Sequence, residues 1–272
     1  MVVAAQPDRC PRRRRPVRRE ARPRPPPSGR PPVTTPSYAL SFGRVARHPA
    51  IIVFAALAVV HLVLVAADTG LSQSVTKALL VPALAVWVVA VGGPRLLVVA
   101  LFFSWVGDVA LEVDGMFLLG MAGFALAHVC FVTWFVRNGA LAGLRRRWWV
   151  VLVGLVAWAA TITALWGPLG DEEPGLRLPI LVYSLLLTAT AVTAFGVNVL
   201  AGVGGALFLL SDTLIALDIA GMSRPEPGGV WVMVTYLAAQ VLLSVGMVHT
   251  DRVRSSIHDA TGDAVHTGGS IR

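Results

Sequence analysis

Charge is scarce in this chain. Only 14% of its 272 residues are charged, 56% are hydrophobic, and the mean hydropathy is +0.71. A soluble domain carries roughly a quarter charged residues, so an ordinary water-soluble globule is excluded and a membrane protein is indicated. Cysteine is scarcer still, with Cys10 and Cys130 alone. That excludes a disulfide framework or a CxxC metal site. There is no HExxH and no Cys cluster, so no metal or cofactor is expected. The N-terminal region lacks an uninterrupted apolar run followed by a cleavage site, which excludes a secretory signal peptide.

The positive charge is confined to a tail. Residues 1–47 hold twelve Arg against Asp8 and Glu20, whereas the whole chain is +8, so the remainder is net negative. Nucleic acid is therefore not an expected partner. Residues 1–43 are rich in Arg and Pro and cannot bury enough apolar surface to fold, so a disordered cytoplasmic tail is expected there. Three readings of it stand open: a contact for anionic lipid, a proline-rich ligand, or a start codon assigned too far upstream.

From Pro49 onward, apolar runs recur at the length a helix needs to cross a bilayer. Eight spans are read, at roughly 49–67, 75–91, 95–112, 115–137, 148–166, 178–199, 203–220 and 229–248. The breaks carry turn residues, among them "GGPR", "VDG", "GPLGDEEPG", "GVGG" and "MSRPEPGG". The expected fold is thus an all-α polytopic membrane protein with eight transmembrane helices over 44–250 and a short cytoplasmic tail over 251–272. With the N-terminus inside, the inner segments hold Arg44, Arg47, Arg95, Arg137, Arg145, Arg146, Arg147, Arg252 and Arg254, and the outer loops hold Arg177 and Arg224. That bias predicts that both termini are cytoplasmic, and the plasma membrane is the expected location. "LFFSWVGDVAL" (101–111) and "LFLLSDTLIAL" (207–217) share Leu-Phe, a Ser and an Asp four helices apart. This fits a 4+4 parallel repeat or chance similarity between Leu-rich helices.

These segments also carry carboxylates where lipid should exclude them. A charge at the bilayer centre costs about 2.5–3.5 kcal/mol on insertion scales, so such groups face a bundle interior or a wet cavity and are functional candidates. Asp108 and Asp212 are the candidates for catalysis. Lys77, Ser104, His128, Tyr183, Ser211, Tyr236 and Gln240 are candidates for substrate binding or support. Ser104 and Asp108, like Tyr236 and Gln240, are four residues apart and share a helix face. Each also has a plainer reading. Lys77 can snorkel, the serines can bond their own helix, His128 and the others can be interhelical glue, and Asp108 can pair with Lys77. Glu112, Asp114 and Asp218 sit at helix ends and are read as solvated, and His61 and His249 are given no role.

At these residues the chain resembles the YhhN-like integral membrane proteins, which include the animal lysoplasmalogenases. The resemblance covers about 49–250 and rests on "TKALLVPAL", "FFSWVGDVAL", "FLLGMAGFALAHVCF", "PILVYSLLL", "GALFLLSDTLIAL" and "TYLAAQVLL" in that order. Ala78 departs from a Pro that often follows the Lys in that pattern. The resemblance implies an eight-helix hydrolase whose substrate is a lysophospholipid with a vinyl ether chain, and whose protein partners are unknown.

Vinyl ethers are cleaved by protonation at the β carbon, addition of water to the oxocarbenium ion, and collapse of the hemiacetal. Two carboxylates, one neutral and one ionised, suffice. Depth favours Asp212 as the drier group and so the acid, leaving Asp108 as the base. The competing class is a proton-coupled transporter or channel that uses the same carboxylates as a relay.

Overall fold

The computed structural model describes residues 48–268, with side chains to residue 257. The expected disordered tail, 1–43, lies outside the described residues. The helices are α1 Pro49–Ala66, α2 Leu71–Ala90, α3 Arg95–Leu111, α4 Phe117–Arg137, α5 Ala140–Arg146, α6 Trp148–Glu172, α7 Arg177–Val197, α8 Val199–Ile219 and α9 Gly228–Gly268. A 3-10 turn, Pro174–Leu176, leads into α7, and no strand occurs among the described residues. Seven helical segments among them are long and apolar enough to cross a membrane. The chain is a multi-pass membrane protein. α3, with 17 residues, is the shortest of the long helices, and it carries Asp108.

The helix starts follow local chemistry. Pro49 occupies the first turn of α1, where its missing N–H costs nothing, and the His48 side chain accepts from Ala50 N. Asn198 caps α8 by accepting from Ala201 N at 2.7 Å, and its amide donates to Gly246 O and Thr250 Oγ1 of α9. Pro82 lies inside α2. Having no N–H, it leaves the carbonyl one turn back, that of Ala78, without a helical donor. The Trp105 indole of α3 donates to that carbonyl at 3.0 Å. α2 and α3 are keyed together where lipid could not supply the missing bond.

Two expected breaks turn out to be helix. "GVGG" lies within α8, where a Cβ on Gly204 would meet Leu243 N at 2.7 Å and one on Gly205 would meet Ala191 Cα at 2.7 Å. These glycines let α9 and α7 approach the α8 backbone, the usual role of small residues between membrane helices. α6 runs through Pro168 to Glu172, well into the expected loop "GPLGDEEPG". α9 continues past the expected end of its span, to Gly268, and α5 was not expected at all.

Neighbour packing closes a ring in the order α1, α2, α3, α4, α7, α8, α9 and back to α1. Its centre is filled, with Phe124, Phe131, Phe208, Leu101 and Leu243 all buried. α6 stands outside the ring, packed on α7 and α8, and α5 packs against α7. The two ends differ in charge. One end gathers Arg95, Arg137, Arg145, Arg146, Arg147, Arg252 and Arg254 with Asp251 as the acid among the described side chains. It is stitched by Arg252 to Val91 O, Arg254 to Asn138 O and Arg147 to Phe195 O. The opposite end carries Asp68, Glu112, Asp114, Asp171, Glu172, Glu173, Asp218 and Glu226 against Lys77, Arg177 and Arg224.

Candidate active site: two aspartate–tyrosine pairs on one cavity

A cavity of about 320 Å³ lies between α6 and the ring. Its wall is mostly hydrocarbon and aromatic, including Phe117, Met121, Phe124, Ile162, Leu165 and Leu187. Polar side chains reach it at few points. Of the sequence-derived candidates, Lys77, Asp108, Tyr183, Ser211, Asp212 and Tyr236 line it.

The carboxylates are held in the same way. Tyr236 Oη of α9 donates to Asp108 Oδ2 of α3 at 2.6 Å, across the middle of the ring. Tyr183 Oη of α7 donates to Asp212 Oδ2 of α8. Gln240 Nε2 donates to Tyr236 Oη at 3.1 Å, which extends the first pair one turn along α9. Each carboxylate keeps Oδ1 outside these contacts. Asp108 is 3% exposed, whereas Asp212 is half-buried against the cavity. Close packing of α3 against α4 accounts for this. A Cβ on Gly123 would meet Gly107 N at 2.9 Å, so the α4 backbone touches α3 beside Asp108.

The remaining candidates lie behind this wall. Ser104 is fully buried one turn from Asp108, and its hydroxyl has no partner among the described residues. His128 is buried with Nδ1 3.0 Å from Thr190 Oγ1. Thr190 donates its hydroxyl proton to Leu186 O at 3.1 Å, so it accepts from His128, which puts the imidazole proton on Nδ1. The ring packs edge-on against Phe208 at 4.5 Å and Tyr183 at 6.1 Å. Ser211 donates to Val232 O and ties α8 to α9.

Lys77 does not pair with Asp108. Its Nζ lies 2.7 Å from Glu112 Oε1, and Ser74 also donates to Glu112. Glu112, read from sequence as a solvated helix end, sits one turn beyond Asp108 and closes a polar group at the acidic end of the cavity. Burial would raise its carboxyl, but the bonds from Lys77 and Ser74 outweigh this and hold it below the usual carboxylate range. Spacing alone held the signal, since Asp108 and Glu112 are four residues apart on one face. Asp218, read from sequence as solvated, is exposed and pairs with Arg224 at 2.9 Å. Trp158 and Thr161 of α6, missed by sequence reading, complete the wall, and Trp158 Nε1 donates to Ser184 Oγ at 3.0 Å. Among the described residues no group of three or more His, Cys, Asp or Glu is placed to hold a metal ion.

The sequence of the YhhN family matches residues 72–247, which hold every one of these cavity-lining groups. Human "Lysoplasmalogenase TMEM86B" is 33% identical over 166 residues, 60% of this chain and 69% of that protein. "Lysoplasmalogenase" of Mycobacterium bovis is 32% identical over 165 residues, 56% of this chain and 60% of that protein. No solved structure matches the chain. With the family match spanning well over half of its length, the chain belongs to the YhhN family.

Proposed function

We propose that this protein is a membrane hydrolase that cleaves the vinyl ether bond of lysoplasmalogens, releasing a fatty aldehyde and a glycerophospho head group. The observation that carries the reading is the pair of tyrosine-held carboxylates, Asp108 and Asp212, on one apolar cavity. Relatives named lysoplasmalogenase support the substrate class.

In this reading the alkenyl chain lies along the hydrocarbon wall. Asp212, open to the cavity, gives its proton to the β carbon of the double bond. The α carbon and ether oxygen then share the positive charge, which the Asp108 carboxylate stabilises. A water entering from the polar end loses a proton to Asp108 as its oxygen bonds to the α carbon. The resulting hemiacetal gives its hydroxyl proton back to Asp212 as its bond to the glycerol oxygen breaks, that oxygen takes the proton held by Asp108, and the aldehyde leaves with both carboxyl groups restored. General acid–base help of this kind is worth about 10²–10⁴-fold in rate. Tyr183 and Tyr236 fix which carboxylate oxygen faces the substrate. Lys77 exchanges Glu112 for the lipid phosphate. We further infer that α3 is an eighth crossing, that the arginine-rich end is cytoplasmic with both termini, and that the protein resides in the plasma membrane.

The test is purified protein in nanodiscs incubated with lysoplasmenylethanolamine, with released aldehyde quantified. Aldehyde from the wild type that disappears in both Asp108→Asn and Asp212→Asn is the expected result. Activity that survives both substitutions overturns the two-carboxylate mechanism, and no aldehyde from folded wild type overturns the substrate.

A further inference from the structure

The arginine-rich end holds a feature that the cavity chemistry does not use. α5 is a seven-residue helix laid between α4 and α6. Its buried residues, Ala140 and Leu144, face the ring. Gly143 packs so closely on α7 that a Cβ there would overlap the Gly196 carbonyl. A backbone-to-backbone contact of that kind holds α5 rigidly, because no side chain in it can rotate away.

What this rigid turn presents is Arg145, Arg146 and Arg147, followed by Trp148 and Trp149, which are 66% and 56% exposed. Arg147 spends one N–H on Phe195 O at 3.3 Å. Arg145 and Arg146 form no hydrogen bond or ion pair among the described residues, and both ion pairs found there belong to the acidic end. Three consecutive arginines, none in an ion pair among the described residues, thus lead from the last turn of α5 into a helix long and apolar enough to cross the membrane. Exposed tryptophans at such a helix end sit at head-group level, with the ring in the acyl boundary and the indole N–H toward water. Guanidinium forks match phosphate oxygens in bidentate geometry.

We propose that the Arg145–Trp149 turn is a binding site for the phosphodiester head group of an anionic phospholipid in the leaflet at that end. The lipid is an accessory ligand, separate from the substrate: the site lies at the end of the bundle opposite Lys77 and Glu112. The arginines take the phosphate, the tryptophans cover the first carbons of the acyl chains, and the α5–α7 contact keeps the two in register. Charge complementarity favours lipid over a protein partner, since the patch joins two apolar rings to the cations in the order in which a phospholipid joins chain to phosphate.

The experiment is native mass spectrometry of the full-length protein in detergent, titrated with phosphatidylglycerol or phosphatidylcholine. The wild type is expected to retain phosphatidylglycerol in preference. Arg145→Gln/Arg146→Gln is expected to weaken that retention about tenfold, in keeping with the contribution of basic residues at an anionic surface. Arg224→Gln, at the acidic end, is expected to leave it unchanged. Equal retention of both lipids by the wild type, or equal retention of phosphatidylglycerol by the wild type and the double variant, overturns the site. So does displacement of the lipid by inorganic phosphate at matched concentration, which would assign the arginines to a free anion. Because the readout is lipid mass, the result stands whatever the hydrolase assay returns.

Discussion

At the scale of single residues, the tyrosines separate positioning from packing. Tyr236→Phe keeps the ring that meets Phe124 and Phe208 edge-on at 6.0 and 5.4 Å but removes the donor to Asp108 and the acceptor for Gln240. We expect aldehyde release to fall by about 10²-fold, at the lower bound for a misplaced acid–base group, with thermal stability lowered by about 1–3 kcal/mol because two buried polar groups lose a partner. A steady-state assay beside a melting curve separates the two effects. The Glu112 carboxyl gives a prediction in pH. It is held below its ordinary 4.5 in the folded protein, so its contribution to stability is present above that value and is lost as pH falls through the lower, folded one. Glu112→Gln should therefore lower the melting temperature at neutral pH, and the gap from wild type should close in acid. A gap that persists at low pH would mean that the Lys77 pair is not its source. The intramembrane groups Asp108, Tyr183, Asp212 and Tyr236 were legible in the sequence because lipid makes polar side chains conspicuous. Their pairing was not legible, since hydrogen bonds across a ring depend on which helices face each other. Glu112 was missed because a helix-end carboxylate looks the same in sequence whether or not a lysine from the next helix reaches it.

At the scale of elements, close helix contact places the chemistry. Gly123 of α4 touches the backbone of Gly107, which holds α3 and so Asp108 against the cavity. Gly123→Val would force the two helices apart, with a cost of about 1–3 kcal/mol for overpacking. We expect Asp108 and Tyr236 to separate and activity to be lost at temperatures where the fold persists. Activity equal to wild type in the folded variant would show that the contact does not set the geometry. The same physics explains why two sequence signals for helix boundaries lie inside helices. Glycine in "GVGG" carries a turn signal in sequence, but in a membrane helix it is as often the flat surface on which a neighbour rests. Pro168 signals a break in sequence, but a proline late in α6 loses only one helical bond. The apolar lengths of α1, α4 and α7 are plain in sequence because the hydrocarbon thickness dictates them.

At the scale of the whole molecule, charge divides the ends. Among the described side chains, seven arginines lie at one end and Arg177 and Arg224 at the other, which also holds all of the helix-end carboxylates except Asp251. Reporter fusions inserted after residue 139 and after residue 173 should report opposite sides of the membrane, with the first in the cytoplasm. Two reporters on the same side would overturn the proposed eight crossings. The arrangement of α6 outside a closed ring of seven helices has a consequence for how a lipid meets the protein. The carboxylates sit behind a single outrigger helix, α6, most of whose surface is not covered by the other helices. A single-chain lipid would slide in edgewise from its own leaflet, keeping its tail in oil and its head at the water line. In the proposed reaction only the ether linkage between them changes surroundings, so the energy of extracting a lipid from a membrane would not enter the cycle.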